Sequence, residues 1–210
     1  MNGLDSDRLK SSGPVASLQP ISQGEYFHLV REPTMAFDDF VLIPITRDDL
    51  SLIVEWRSQP EVHEWYAGRP VTEDEIRTRH LESTDPVTRC IVHLEGDPIG
   101  HLQFYEYIEE WKPAVGLSPG EEAWGLDVYL GEVHLHGRGI GTRLVRGVAE
   151  RLISDHGAPL VLIDPHAGNA AAVRSYEKAG FRKIRLMPSY GRVRGRWRDA
   201  WLMEFAGADG

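Results

Sequence analysis

Two hydrophobic periods alternate along the chain, and their order outlines a fold. Phe40 to Ile45 ("FVLIPI") is a short β-rich run. Thr46 and the acidic residues behind it cap a helical stretch that spaces Leu50, Ile53, Val54 and Trp56 along one side. Thr72 with Glu75 three residues on is a capping-box pattern, opening a second helix through about Ser83. "RCIVHLEG" and "PIGHLQFYEYI" are β runs parted by Gly96 and Asp97, a hairpin pattern. The polar stretch from Glu109 to Glu122, with Pro and Gly at intervals, reads as a loop. "AWGLDVYLG" is the next strand, and "GEVHLHGRGIGTRLVRGVAERL" leads through glycines into a helix with Ile140, Leu144, Val145, Val148 and Leu152 on one face.

"PLVLIDP" is apolar almost throughout, as in a strand buried on both faces. "NAAAVRSYEKAGF" is a helix stopped by Gly180 at C′. "FRKIRLMP" and "WRDAWLMEF", joined by an Arg/Gly-rich connection, are the last strands. The order β-α-α-β-β-β-α-β-α-β-β predicts a single mixed α/β domain over residues 37–206. Residues 1–36, rich in Ser, Gly, Pro and Gln with no sustained period, read as an N-terminal extension.

Composition narrows the function. A chain of 210 residues, 41% of them hydrophobic, suits one domain with a sizeable core. The net charge of -9 argues against a general nucleic-acid binder and suits a small cationic substrate. Cys90 is the lone cysteine, which excludes an internal disulfide and a paired-cysteine metal site and fits a reducing, cytoplasmic setting. The N-terminus lacks the basic start and apolar run of a secretory signal, and no apolar stretch approaches a membrane span, so a soluble protein with no membrane partner is expected. The nine histidines show no helical pair with a third ligand, so no metal is expected. "GRVRGRWR" resembles a basic nucleic-acid patch in isolation. In an acidic chain it reads as a solvated hairpin, with the phosphates of a cofactor as one place for its charge.

Gly137, Gly139 and Gly141 stand where the long helix begins. Glycines there let several backbone N–H groups converge on a phosphate in front of a positive helix end. The spacing G-x-G-x-G lacks the Lys and Ser/Thr of a nucleoside-triphosphate loop and does not match the Rossmann fingerprint. Taken with the following strand and "DPHAGNAAAVRSYEKAGF", "HGRGIGTRLV" resembles the GCN5-related N-acetyltransferases (GNAT), over about residues 38–205. His136 stands where that family usually has Gln or Arg; because main-chain amides hold the pyrophosphate, the change disturbs little. Within the family, "EWRSQPEVHEWYAG", "GLDVYLGE", "GTRLVR", "IDPHAGNAAAVRSYEKAGF" and "RDAWLMEF" look like the aminoglycoside 6′-N-acetyltransferases.

The resemblance implies a twisted, mostly antiparallel sheet of about seven strands flanked by about four helices, with acetyl-CoA in the splay between the two central strands. It implies cofactor contacts at Val128 and Leu130 on the strand, at Gly137, Arg138, Gly139, Ile140, Gly141 and Thr142 in the turn, and at Asn169 and Lys178 on the next helix. Asp127 is implied as base or anchor for the reactive amine and Tyr176 as the acid facing the CoA sulfur. Asp127, Asp164 and Asp199 are implied as contacts for a polycationic amine, and Trp65 and Tyr66 as an aromatic pair against its sugar rings. Read from the residues alone, Asp127 also suits a loop cap, Tyr176 a core aromatic, Asn169 an N-cap and Asp164 a turn before Pro165. Transfer to another amine, such as a siderophore hydroxylamine, and a CoA-binding sensor without turnover stay open. So does the choice between monomer and homodimer.

Overall fold

A computed structural model describes residues 34–66 and 68–207. The expected extension lies outside the described residues up to residue 33. Eight strands form one sheet in the order β1-β2-β3-β4-β5-β6-β8-β7: β1 Met35–Phe37, β2 Phe40–Pro44, β3 Val87–Leu94, β4 Asp97–Glu106, β5 Trp124–Leu130, β6 Val161–Ile163, β7 Phe181–Val193 and β8 Arg196–Phe205. Only β5 and β6 run parallel. The strand beyond the expected seven is β1, three residues folded back on β2 through a tight turn in which Asp38 has φ 46. So short a strand has no period to read.

The helices are α1 Leu50–Ser58, α2 Pro60–His63, α3 Glu73–His80, α4 Lys112–Val115, α5 Ile140–His156 and α6 Ala170–Ala179. The two beyond the expected four, α2 and α4, are single turns with a proline near their start, and α4 lies in the segment expected to be a loop. None of the helices among the described residues is long and apolar enough to cross a membrane.

Local chemistry explains most of the boundaries. Thr72 and Glu75 close a reciprocal capping box at α3, with Thr72 N donating to Glu75 Oε2 at 2.9 Å and Glu75 N to Thr72 Oγ1 at 3.3 Å. Thr46 forms the same box with Asp49, but around a 3-10 turn that precedes α1. The β3–β4 hairpin turns one residue earlier than expected. Glu95 (φ 53) and Gly96 (φ 94) occupy its corner while Asp97 already pairs with Leu94.

The sheet carries helices on both faces. On one face α5 and α6 bury Leu144, Val145, Val148 and Leu152, with Val173 and Tyr176, against Leu42, Cys90, Leu102 and Leu126. On the other, Leu50, Ile53 and Trp56 of α1 and Ile76 of α3 pack on Ile91 and Tyr129. A second cluster on that face, from Tyr107 and Val115 to Leu162 and Leu202, covers the other end of the sheet. Cys90 is core, and burial pushes its thiol up to about 11, so it is inert at neutral pH. Leu144 is completely buried at the centre of the larger cluster. Leu144→Ala should therefore lower unfolding stability by about 2–5 kcal/mol, read from urea denaturation of the two proteins.

Candidate active site

The site begins where β5 and β6 stop pairing. They share two register positions, Trp124 with Val161 and Gly125 with Leu162. Beyond Ile163 the chain leaves through Asp164 and Pro165, while β5 runs on to Leu130. Pro165 has no N–H to continue a ladder. The half of β5 from Leu126 to Leu130 therefore faces an opening in the sheet. Tyr66 closes part of it by donating its hydroxyl to the Val128 carbonyl at 2.7 Å. A cleft of about 390 Å³ lies there, and it brings together Asp127, Val128, Asp164, Asn169, Tyr176 and the aromatic pair Trp65 and Tyr66.

Asp127 points away from α5, on the face shared by Gln103 and Arg89, because these three are register partners across β5, β4 and β3. Gln103 Nε2 donates to Asp127 Oδ2 at 2.7 Å, which fixes the carboxylate. Burial raises the Asp127 pKa, and the Gln103 hydrogen bond opposes that rise. Asp164 is raised to about 7 by burial and then by the Asp127 charge, against a hydrogen bond with Tyr190. The Asp127 charge thus holds back the ionisation of Asp164, as a close carboxylate does. Tyr176, buried on α6, has its pKa raised by burial and by the charges of Asp127 and Asp164, so it keeps its proton at neutral pH. Two acids and a tyrosine in one cleft can hold an ammonium, take its proton and return one to a leaving thiolate.

The glycine turn lies at the far end of β5. Gly137 (φ 75) and Gly139 (φ 78) both adopt the left-handed conformation, with open space where a Cβ would stand. Gly139 caps α5 without any side-chain bond to the first amides, so the amides over Ile140 to Thr142 are the free donors of a 17-residue helix. His136 fixes the turn by a ring nitrogen 3.0 Å from the Leu130 carbonyl. Gln59 Nε2 donates to the Gly131 carbonyl at 3.0 Å, which ties the end of α1 to the same place. Thr142 Oγ1 lies 2.8 Å from Ser175 Oγ and joins α5 to α6. Asn169 is an N-cap, accepting from Ala172 N at 3.1 Å, and it also borders the cleft. Arg138 and Lys178 are exposed.

Asp199 is not with the other acids. Its carboxylate accepts from Ser189 N at 2.9 Å, and it lines an adjoining cavity of about 530 Å³ that shares only Trp65 and His166 with the cleft. The "GRVRGRWR" hairpin likewise sits against Gly68 and these two cavities. Sequence reasoning passed over Gln103, Arg57, Arg79 and Tyr190, all of which line the cleft. Gln103 carried a signal, as a polar residue in phase with Asp127 inside an apolar strand. Arg57 carried none, since its place under Tyr66 and Tyr129 (guanidinium 4.8 and 5.8 Å from the ring centroids) depends on α1 docking.

The raised Asp164 carboxyl has a stability signature. Its native pKa of about 7 exceeds the ordinary 3.8, so its contribution is full below 3.8 and is lost as pH rises through 7. Asp164→Asn should accordingly melt above the wild type at pH 8, with the difference closing as pH falls towards 4. A lower melting temperature at pH 8 would show that the charge is compensated.

The chain as a whole is similar to known proteins. Residues 46–188 match the family model of the acetyltransferase (GNAT) domain. The aminoglycoside N(6′)-acetyltransferase type 1 of Klebsiella pneumoniae is 33% identical over 165 residues, 71% of this chain and 77% of that one. Among solved structures, the aminoglycoside acetyltransferase AAC(6′)-Ib in complex with paromomycin and acetyl-CoA superposes with TM-score 0.65 at 30% identity, covering 80% of this chain and 93% of the other. The same enzyme with coenzyme A and kanamycin gives 0.62, covering 79% and 93%. By sequence and by fold, this chain belongs to the GNAT acetyltransferase family.

Proposed function

We propose that the protein transfers the acetyl group of acetyl-CoA to the 6′-amine of an aminoglycoside. One observation carries the reading: the parting of β5 and β6 sets Asp127, Asp164 and Tyr176 in one cleft along β5, the strand that leads to the open glycine turn. Relatives at 33% and 30% identity that are named for this activity support it.

The residues present fit coenzyme A. Gly137 and Gly139 leave the backbone of the turn uncovered, and the α5 amides supply donors and a positive helix end for the pyrophosphate. Val128 and Asn169 line the opening that would take the pantetheine arm, and Leu130, at the end of β5, and Lys178, exposed on α6, are the further contacts proposed for the cofactor. The bound cosubstrate supplies an activated acetyl carbonyl.

In this reading Asp127, set by Gln103, anchors the attacking amine and accepts its proton directly or through water. Asp164 binds the same ammonium or a neighbouring one and shares the negative charge. As the N–C bond forms and the C–S bond breaks, Tyr176 gives its proton to the departing sulfur. Trp65 and Tyr66 supply apolar surface for a sugar ring, and Asp199 reaches only the far part of a substrate that extends into the adjoining cavity.

Release of CoA thiol should occur with 6′-amino aminoglycosides and fail with a derivative bearing a 6′-hydroxyl; silence with both removes the proposed substrate. Asp127→Asn should lower kcat by about 10²–10⁴-fold with acetyl-CoA affinity retained. Tyr176→Phe should lower kcat without weakening acetyl-CoA binding, and a purely binding defect would make it a packing residue.

A further inference from the structure

The last hairpin places charge of the opposite sign to the chain's average at the mouth of the cleft. Residues 192–198 hold four arginines, in a protein of net charge -9. Arg192 lines the cleft, Arg194 and Arg198 line the adjoining cavity, and Arg69, Arg192 and Arg194 together line a third opening beside Gly68. Among the described residues none of Arg192, Arg194, Arg196 and Arg198 forms an ion pair, whereas Arg69 is paired with Glu75 at 2.5 Å.

The tip is also fixed in place. Arg194 (φ 51) and Gly195 (φ 74) make a tight turn, and Arg194 Nε donates to the Gly68 carbonyl at 2.6 Å. A Cβ on Gly68 would run into the Arg194 side chain, so the hairpin is seated closely on the segment that follows the aromatic pair. Across the mouth the facing carboxylates are Glu64 and Asp199, and the latter already accepts from Ser189 N. His166, in the wall between the two cavities, has its pKa lowered by burial and then by Arg198, so the charge of that arginine is felt there. Deeper in, Arg57 and Arg79 line the cleft together with Asp127 and Asp164, and the Arg79 charge works against the rise of the Asp127 pKa.

We infer that this arginine rim is a charge filter on the substrate: the cleft takes an amine at Asp127 and Asp164 and disfavours a further ammonium at the substrate's far end. This rests on the aminoglycoside reading and narrows it to compounds whose distal ring is hydroxylated or anionic. Trp65 and Trp197, the latter 61% exposed, offer apolar faces to such a ring in the same cavity. A rim arginine and a distal ammonium at roughly 7 Å in a water-like medium would weaken binding about threefold, and less at high salt.

The test compares two 6′-amino aminoglycosides that differ only by a distal amino group in one and a hydroxyl in the other. Dissociation constants are measured by calorimetry with the CoA-loaded protein, and KM by thiol release, for the wild type, R192Q and R198E. Using the ratio between the two compounds within each protein cancels any general loss of folding. The wild type should favour the hydroxyl compound at low salt, and R198E should shift the ratio about tenfold towards the amino compound, an effect that 1 M salt abolishes. Ratios unchanged by R192Q and R198E overturn the filter and leave the acetyltransferase reading standing. Ratios that shift in binding without any thiol release keep the filter and overturn that reading. If neither compound binds, both fall.

Discussion

The parting of β5 and β6 after two paired residues is the constraint on which the rest depends. A continuous sheet satisfies its backbone groups strand to strand and leaves nothing for a ligand; an opened one must find other partners. Here β6 is three residues long and ends before Pro165, while β5 continues for five more positions. The Tyr66 hydroxyl takes the Val128 carbonyl and the His136 ring meets that of Leu130, so part of the freed edge is satisfied by side chains. What remains is a cleft with Asp127 on one lip, Asp164 on the other and the start of α5 at one end. The same opening thus positions both acids, along the strand that leads to the glycine turn.

Electrostatics within that cleft come from register. Arg89, Gln103 and Asp127 form a polar row across three strands, between two apolar clusters on the same face. A lone aspartate in that row would be costly to bury; the amide of Gln103 offsets part of the cost and fixes its direction. Asp164, buried beside the Asp127 charge, rises to about 7, so the pair can carry a single charge and a shared proton near neutrality. At the mouth Arg192, Arg194 and Arg198 form no ion pair among the described residues, with Glu64 and Asp199 as the carboxylates there.

Much of this was legible in the chain because it is local. The Thr72–Glu75 box, the Asn169 cap, the Gly180 stop and the glycine turn each rest on side chains and backbone within a few residues, and the structure has them in place. The apolar stripe of α5 was readable for the same reason, since a helix repeats its buried face every turn. The shortest elements, β1, α2 and α4, were not, because three or four residues show no period.

Sequence by itself determined the family, the order of the long elements and the residue types that the chemistry needs. Tertiary structure decided which of them meet. Asp164 joins Asp127 because β6 stops beside β5, whereas Asp199, the third acid expected there, is held by Ser189 in the neighbouring cavity. Gln103 lies 24 residues from Asp127, and Arg194 lies 126 from Gly68, yet each makes a contact that shapes the cleft. Such pairings follow from strand register and hairpin docking, which depend on the packing of the whole sheet and leave no local trace in the chain.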